Sequence, residues 1–172
     1  NLIQLKESLE SFGMSLIAIN TESYKDLPKD LCSIAVEQKV DHVFWNNEFG
    51  FNETIRDQNS IKFLKENNIC SSSFHDQVIY APGFLKTGQG NPFSVFTPYK
   101  RRWVENFDMN FLDIAKVSKP KRPSSIRSDL SALKFVKTHS ANIDLWPAGE
   151  SAAQEKLANF LQSKADSYSE SR

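Results

Sequence analysis

The residues best suited to chemistry lie close together at 52–57, where Asn52 and Glu53 are followed by Arg56 and Asp57. A carboxylate accepts two hydrogen bonds from an amino N–H edge, and a side-chain amide beside it serves as donor or acceptor. The same two residues also suit a helix start, with Asn52 as the cap and Glu53 as a first-turn acid facing the positive end of the helix. Both roles can hold at once. Arg56 and Asp57 read as an ion pair that orients the neighbouring loop.

Other groups carry less. Lys100, Arg101 and Arg102 form one short basic run, and Lys119, Lys121 and Arg122 form another. Either could meet phosphates, but they read as a solvated helix face and a solvated linker. His42, His75 and His139 stand far apart without companion ligands, so no structural zinc site is expected. Cys32 and Cys70 lack a CxxC spacing, which argues against a disulfide framework and for a reducing, cytoplasmic setting. Gly88 and Gly90 resemble part of a phosphate cradle, yet no strand-to-helix junction or following Lys-Ser/Thr supports one, and they read as a turn. Trp45 and Trp103 read as packing residues. The sequence offers no catalytic triad and no clustered carboxylates for acid–base work.

The elements that position these residues follow from composition and periodicity. With 172 residues, 40% of them apolar and 24% charged, the chain can bury one soluble globular core. Twenty-one basic residues balance 21 acidic ones, whereas a domain gripping DNA by itself usually carries a basic excess. No apolar run approaches a membrane span and no signal peptide is apparent. Leu2, Leu5, Leu9 and Phe12 predict a helix over residues 2–12, closed by Gly13. The apolar run 14–19 predicts a buried strand. Asp26 is a candidate cap for a helix with Leu27, Leu31, Ile34 and Ala35 on one face and Pro28 in its first turn.

Residues 42–46 (HVFWN) and 69–74 predict two further strands. Between them a helix from Asn52 turns Ile55, Phe63 and Leu64 inward and ends at Asn67 and Asn68. Strands alternating with helices at these spacings imply right-handed crossovers and a parallel sheet, hence an α/β fold. Residues 80–98 are rich in Pro and Gly and read as loop. A helical pattern returns at 99–112 through Tyr99, Trp103, Phe107 and Phe111. Residues 116–128 have linker composition, and a last helix runs from Pro147 through Leu157 and Leu161.

Three stretches together resemble the photolyase/cryptochrome family. FWNNEFGFNETIRD (44–57) resembles its fourth strand and the helix after it. PGFLKTGQGNPFSVFTPYKRRW (82–103) resembles its most recognisable run, which passes through T-G-x-G-x-P and V-F-T-P to a Trp. LWPAGESAAQEKLANFL (145–161) resembles the entry to its second domain. The resemblance implies a Rossmann-like parallel-sheet antenna domain over 1–112, without the family's first two strands. It further implies an interdomain linker over 113–144 and, over 145–172, the first helix of the all-α flavin domain.

The implied activity is that of a deoxyribodipyrimidine photolyase, which uses FAD and an antenna pigment to split cyclobutane dimers in damaged DNA. In that family an Asn-Glu pair at the place of Asn52 and Glu53 contacts a methenyltetrahydrofolate antenna, although a deazaflavin type uses the same fold. Tyr168, in YSESR, matches a tyrosine that touches FAD in the intact enzyme. The 172 residues alone are expected not to repair DNA, and sheet edges left open by the missing strands favour self-association. The rival readings are a photosensory cryptochrome and a flavodoxin-like module that binds a small nucleotide.

Overall fold

The computed structural model describes residues 1–112, 114–135 and 145–171, so His139 and Arg172 lie outside the described residues. Its helices are α1 (Leu2–Ser11), α2 (Leu27–Glu37), α3 (Phe51–Glu66), α4 (Phe96–Asn106), α5 (Glu150–Ser163) and α6 (Tyr168–Ser171). Its strands are β1 (His42–Asn46) and β2 (Cys70–Phe74), and 3-10 turns cover Met109–Leu112 and Ser131–Phe135. The chain forms two compact units, Thr21–Val117 and Asn1–Asn20 together with Ser118–Arg172.

In the first of these units β1 and β2 pair in parallel, from His42 opposite Cys70 to Asn46 opposite Phe74, with α3 as the crossover. The fold is α/β, and its sheet holds two strands rather than the three expected. Cys32 and Ala35 of α2, Leu64 of α3 and Ile69 form the core, and Val40, Val43, Trp45 and Phe63 pack against it. Val43 and Trp45 face this core because alternate strand residues point to the same side. On the other face the His42 and Phe44 rings stack at 4.1 Å, and Phe44 is 61% exposed.

α2 and α3 end alike. Lys39 (φ 54°) and Asn68 (φ 59°) adopt the left-handed conformation. After α2 the Lys39 and Val40 amides return to the carbonyls of Val36 and Ala35; after α3 those of Asn68 and Ile69 return to Lys65 and Leu64. These are Schellman caps, and their hydrophobic partners, Val40 with Ala35 and Ile69 with Leu64, belong to the core. Asp26 does stand before α2, but its carboxylate accepts the Ser23 hydroxyl at 2.6 Å instead of capping the helix.

Ile55 is 41% exposed, contrary to the inward placement expected for it. Nine residues separate it from Leu64, two and a half turns at about 3.6 residues per turn, so the two point to opposite sides. The inward face of α3 instead carries Arg56, Asp57, Ser60 and Leu64. Beyond β2, Tyr80 is buried at the centre of an aromatic cluster, stacked on Phe84 and edge-on to Trp103 and Phe111. Its hydroxyl donates to the Asn106 carbonyl at the end of α4. Gly88 and Gly90 sit in a turn closed by bonds between Thr87 and Asn91.

In the other unit α1 ends at Gly13 (φ 81°) with Gly13 and Met14 amides returning to Glu10 and Leu9, again a Schellman cap. The run at 14–19 is not a strand of the sheet. Ile17 forms an isolated parallel bridge with Asp129, Ala18 N–H donates to the Asp129 carbonyl, and Asp129 N–H donates to Leu16. The Leu16 and Ala18 backbone groups are thus met by Ser128 and Asp129, at the end of the stretch 116–128 whose proline and charge content read as linker.

Leu64 is fully buried. Leu64→Ala should lower stability by about 2–5 kcal/mol, seen in urea unfolding as a lower midpoint at unchanged slope. An unchanged midpoint would show that this cluster is not the core of its unit.

Candidate functional site

The site grows from the turn between β1 and α3. Gly50, extended at φ −64° and ψ 151°, is the N-cap of α3. Asn52 therefore sits inside the first turn and is exposed, so the capping role considered for it belongs to Gly50. Glu53 is the first-turn acid, half-buried at the positive end of the helix. Its carboxylate folds back over the cap: a Cβ placed on Gly50 would lie 1.9 Å from Glu53 Oε2.

One turn further along α3, Arg56 is 17% exposed at its side chain and fully engaged. Its Nη1 lies 2.8 Å from Glu48 in the loop after β1, and its Nη2 lies 2.7 Å from Asp57, whose oxygen also accepts from Nε at 2.8 Å. Nη1 donates to the Tyr24 hydroxyl at 3.3 Å, and the guanidinium carbon stands 5.9 Å from the centre of that ring. Burial opposes the charge on Arg56, but the bonds from Asp57 and Glu48 outweigh it and raise its pKa further. Desolvation raises the pKa of Tyr24, Arg56 opposes the rise, and the Glu53 and Glu48 carboxylates add to it.

The ion pair expected of Arg56 and Asp57 is present. Tyr24 and Glu48 are additions that sequence reasoning missed. Glu48 stands near in sequence, as an acid in the loop just before the helix, and could have been found. Tyr24 lies 32 residues before Arg56, and no local pattern links them.

Around this cluster the loops after the two strands are tied together. Asn47 N–H donates to the Phe74 carbonyl at 2.8 Å, Asn46 reaches Asp76 at 3.3 Å, and Phe49 lies against His75 with ring centres 5.4 Å apart. A cavity of about 320 Å³ opens between Leu27, Leu31, Trp45, Glu48, Arg56 and Ser60. Trp45 Nε1 is buried there without a hydrogen-bond partner. Among the described residues no three His, Cys, Asp or Glu side chains could hold a metal ion, and no helix is long and apolar enough to cross a membrane. Cys32 and Cys70 are free thiols.

Tyr168 belongs to the other unit, where it opens α6, is 55% exposed and lies edge-on to Phe160 at 5.8 Å. Of the predicted site residues, the fold thus brings Arg56 and Asp57 into one cluster, with Asn52 and Glu53 one turn earlier on α3. Lys100, Arg101 and Arg102 lie exposed on α4, where Arg102 reaches Glu105 at 3.7 Å.

Residues 1–123 match the family model for DNA photolyase. The chain belongs to the DNA photolyase family. It is similar to the deoxyribodipyrimidine photo-lyase of Escherichia coli (strain K12), 26% identical over 98% of this chain and 35% of that relative. The corresponding enzyme of Agrobacterium fabrum is 28% identical over 100% of this chain and 36% of its own length. Among solved structures, a bacterial class III photolyase from Agrobacterium tumefaciens superposes with a TM-score of 0.66 at 26% identity, covering 94% of this chain and 34% of the other. The chain spans about a third of the length of these photolyases. The family match includes Asn52, Glu53, Arg56 and Asp57 and ends before Tyr168.

Arg56 holds the loop after β1 and the segment before α2 to α3. Arg56→Met would strand the Asp57 carboxylate, itself only 15% exposed, and should cost about 1–3 kcal/mol. Hydrogen exchange should quicken in residues 22–26 and 47–50 while the Leu64 core stays protected. Unchanged exchange in both segments would remove Arg56 from this role.

Proposed function

We propose that this chain is the antenna-holding part of a light-driven DNA repair enzyme, a photolyase acting on cyclobutane pyrimidine dimers. In this reading residues 1–112 are the antenna domain, 113–144 the interdomain linker and 145–172 the start of the helical flavin domain. The observation that carries it is the half-buried Glu53 carboxylate, folded over Gly50 beyond the C-terminal end of β1, beside an exposed Asn52. Ligands of parallel sheets bind at that end of the strands.

The donor set fits a pterin. A carboxylate has about four acceptor positions, enough for Glu53 to accept two N–H groups from an amino-pyrimidinone edge. The Asn52 amide supplies a donor or an acceptor alongside. The chemistry supplied by bound methenyltetrahydrofolate and reduced FAD would be light absorption and electron donation to the dimer. The residues of this chain hold and orient, and none needs to act as acid, base or nucleophile. Tyr168 is the one flavin contact that the described residues offer, so the 172 residues alone should bind antenna without repairing DNA. Two unpaired thiols suit a reducing, cytoplasmic setting.

Methenyltetrahydrofolate added to the purified chain should give a near-ultraviolet band that co-elutes with protein, and Glu53→Gln should weaken binding about tenfold. Equal binding by wild type and variant would exclude Glu53 as the contact. Within the described residues β1 and β2 each leave one sheet edge unpaired, and such edges recruit further strands. Light scattering should therefore give a mass above 19.6 kDa, whereas a clean monomer would rule out self-association through that edge.

A further inference from the structure

We infer that the aromatic cavity against α4 is a binding site for a nucleotide, which seats its base among the rings and its phosphate between Lys100 and Arg102. The cavity shares no lining residue with the one beside Arg56, so this site stands or falls separately from the folate reading of Glu53.

The cavity measures about 620 Å³ and lies wholly within the unit Thr21–Val117. Tyr80, Phe93, Tyr99 and Trp103 line it together with the buried Leu85. Small-molecule sites are concave, about 300–1,000 Å³ in volume and mostly apolar and aromatic. Its rings are braced by others that do not line it. Phe84 stacks on Tyr80 at 5.3 Å, Phe111 meets Tyr80 edge-on at 5.4 Å, and Phe107 stacks on Trp103 at 5.0 Å. Phe93 and Tyr99 hold each other edge-on at 5.9 Å. The Tyr80 hydroxyl is committed to the Asn106 carbonyl. The walls are therefore preformed and offer π surface rather than hydrogen bonds, which suits the flat face of a base of any sequence.

Helix α4 adds charge beside these walls. Successive helical residues are about 100° apart, so Lys100 and Arg102 stand about 80° to either side of the line midway between Tyr99 and Trp103. Arg101 points about 180° away from that line. Both flanking cations are exposed. Lys100 has no ion pair among the described residues, and Arg102 has an exposed one with Glu105 at 3.7 Å, which competes only weakly for it. A flat ring joined to a phosphate uses both features, whereas a plain hydrocarbon would use the rings alone.

The test titrates the full 172-residue chain with adenosine 5′-monophosphate, adenosine and inorganic phosphate, read by equilibrium dialysis. The monophosphate should bind about tenfold more tightly than adenosine, and phosphate alone should show no saturable binding. Lys100→Ala combined with Arg102→Ala should lower the monophosphate to the affinity of adenosine, while Arg101→Ala keeps the difference. Tyr99→Leu should weaken nucleoside and nucleotide alike by about tenfold.

Equal losses from Arg101→Ala and from the double variant would mean diffuse attraction to a basic helix and would overturn the site. A loss on Glu53→Gln would place the ligand at the other site and overturn it too, as would unchanged binding by Tyr99→Leu. Should Tyr99→Leu fail to fold, hydrogen exchange in wild type decides. The monophosphate should slow exchange in residues 79–86 and 99–103, and no slowing there would overturn the inference. A short oligodeoxyadenylate identifies the source of the base: tighter binding than the monophosphate supports a single strand as occupant, and equal binding supports a free nucleotide.

Discussion

A guanidinium that leaves water must find a partner for nearly every N–H group, because each one left bare in a low-dielectric setting costs more than the bond it would have made. Arg56 meets that demand by drawing to itself an acid from the loop after β1, an acid from its own helix and a hydroxyl from the segment before α2. Exposed pairs of this kind contribute little. This one is mostly covered and branches to three partners, so it sets where three pieces of backbone sit. The sheet end, the entry to α3 and the approach to α2 are arranged around one side chain.

Glu53 and Asn52 stand on the first turn of α3, and the Glu53 carboxylate folds into space left by a glycine at the cap. An acid folded over a cap in this way has fewer orientations to lose when it takes up a hydrogen-bond partner. A Cβ added at Gly50 would reach that carboxylate directly.

Much of this architecture could be read from residue patterns, and the misses have specific causes. The helices around Leu31, Leu64 and Trp103 and the strands at 42–46 and 70–74 follow from periodicity, and the V-F-T-P-Y run pointed to the family that residues 1–123 match. Ile55 misled because hydrophobicity was weighed ahead of angular position, while the face it was expected to occupy is held by Arg56, Asp57 and Ser60. The run at 14–19 has the composition of a strand, yet its partner is a proline-bearing segment more than a hundred residues later, a pairing that no local pattern encodes. Asn52 looked like a cap because its type favours caps, but the helix had already begun at Gly50. Tyr24 was invisible for the reason that makes it informative: its partners meet it only after α2, β1 and α3 have packed.

The left-handed endings of α2 and α3 bear on the order in which that packing happens. Each cap turns the chain from helix into strand within a few residues, and each carries its own apolar contact, Ala35 with Val40 and Leu64 with Ile69. Closing so short a connection costs little chain entropy, and contacts between near neighbours in sequence form sooner than remote ones. The α2–β1 and α3–β2 corners are therefore the cheapest parts of this unit to assemble. The Arg56 cluster, which joins residues 24, 48 and 57, can close only on corners that already exist, so it is among the last features of the fold to form and the first to be lost when it loosens.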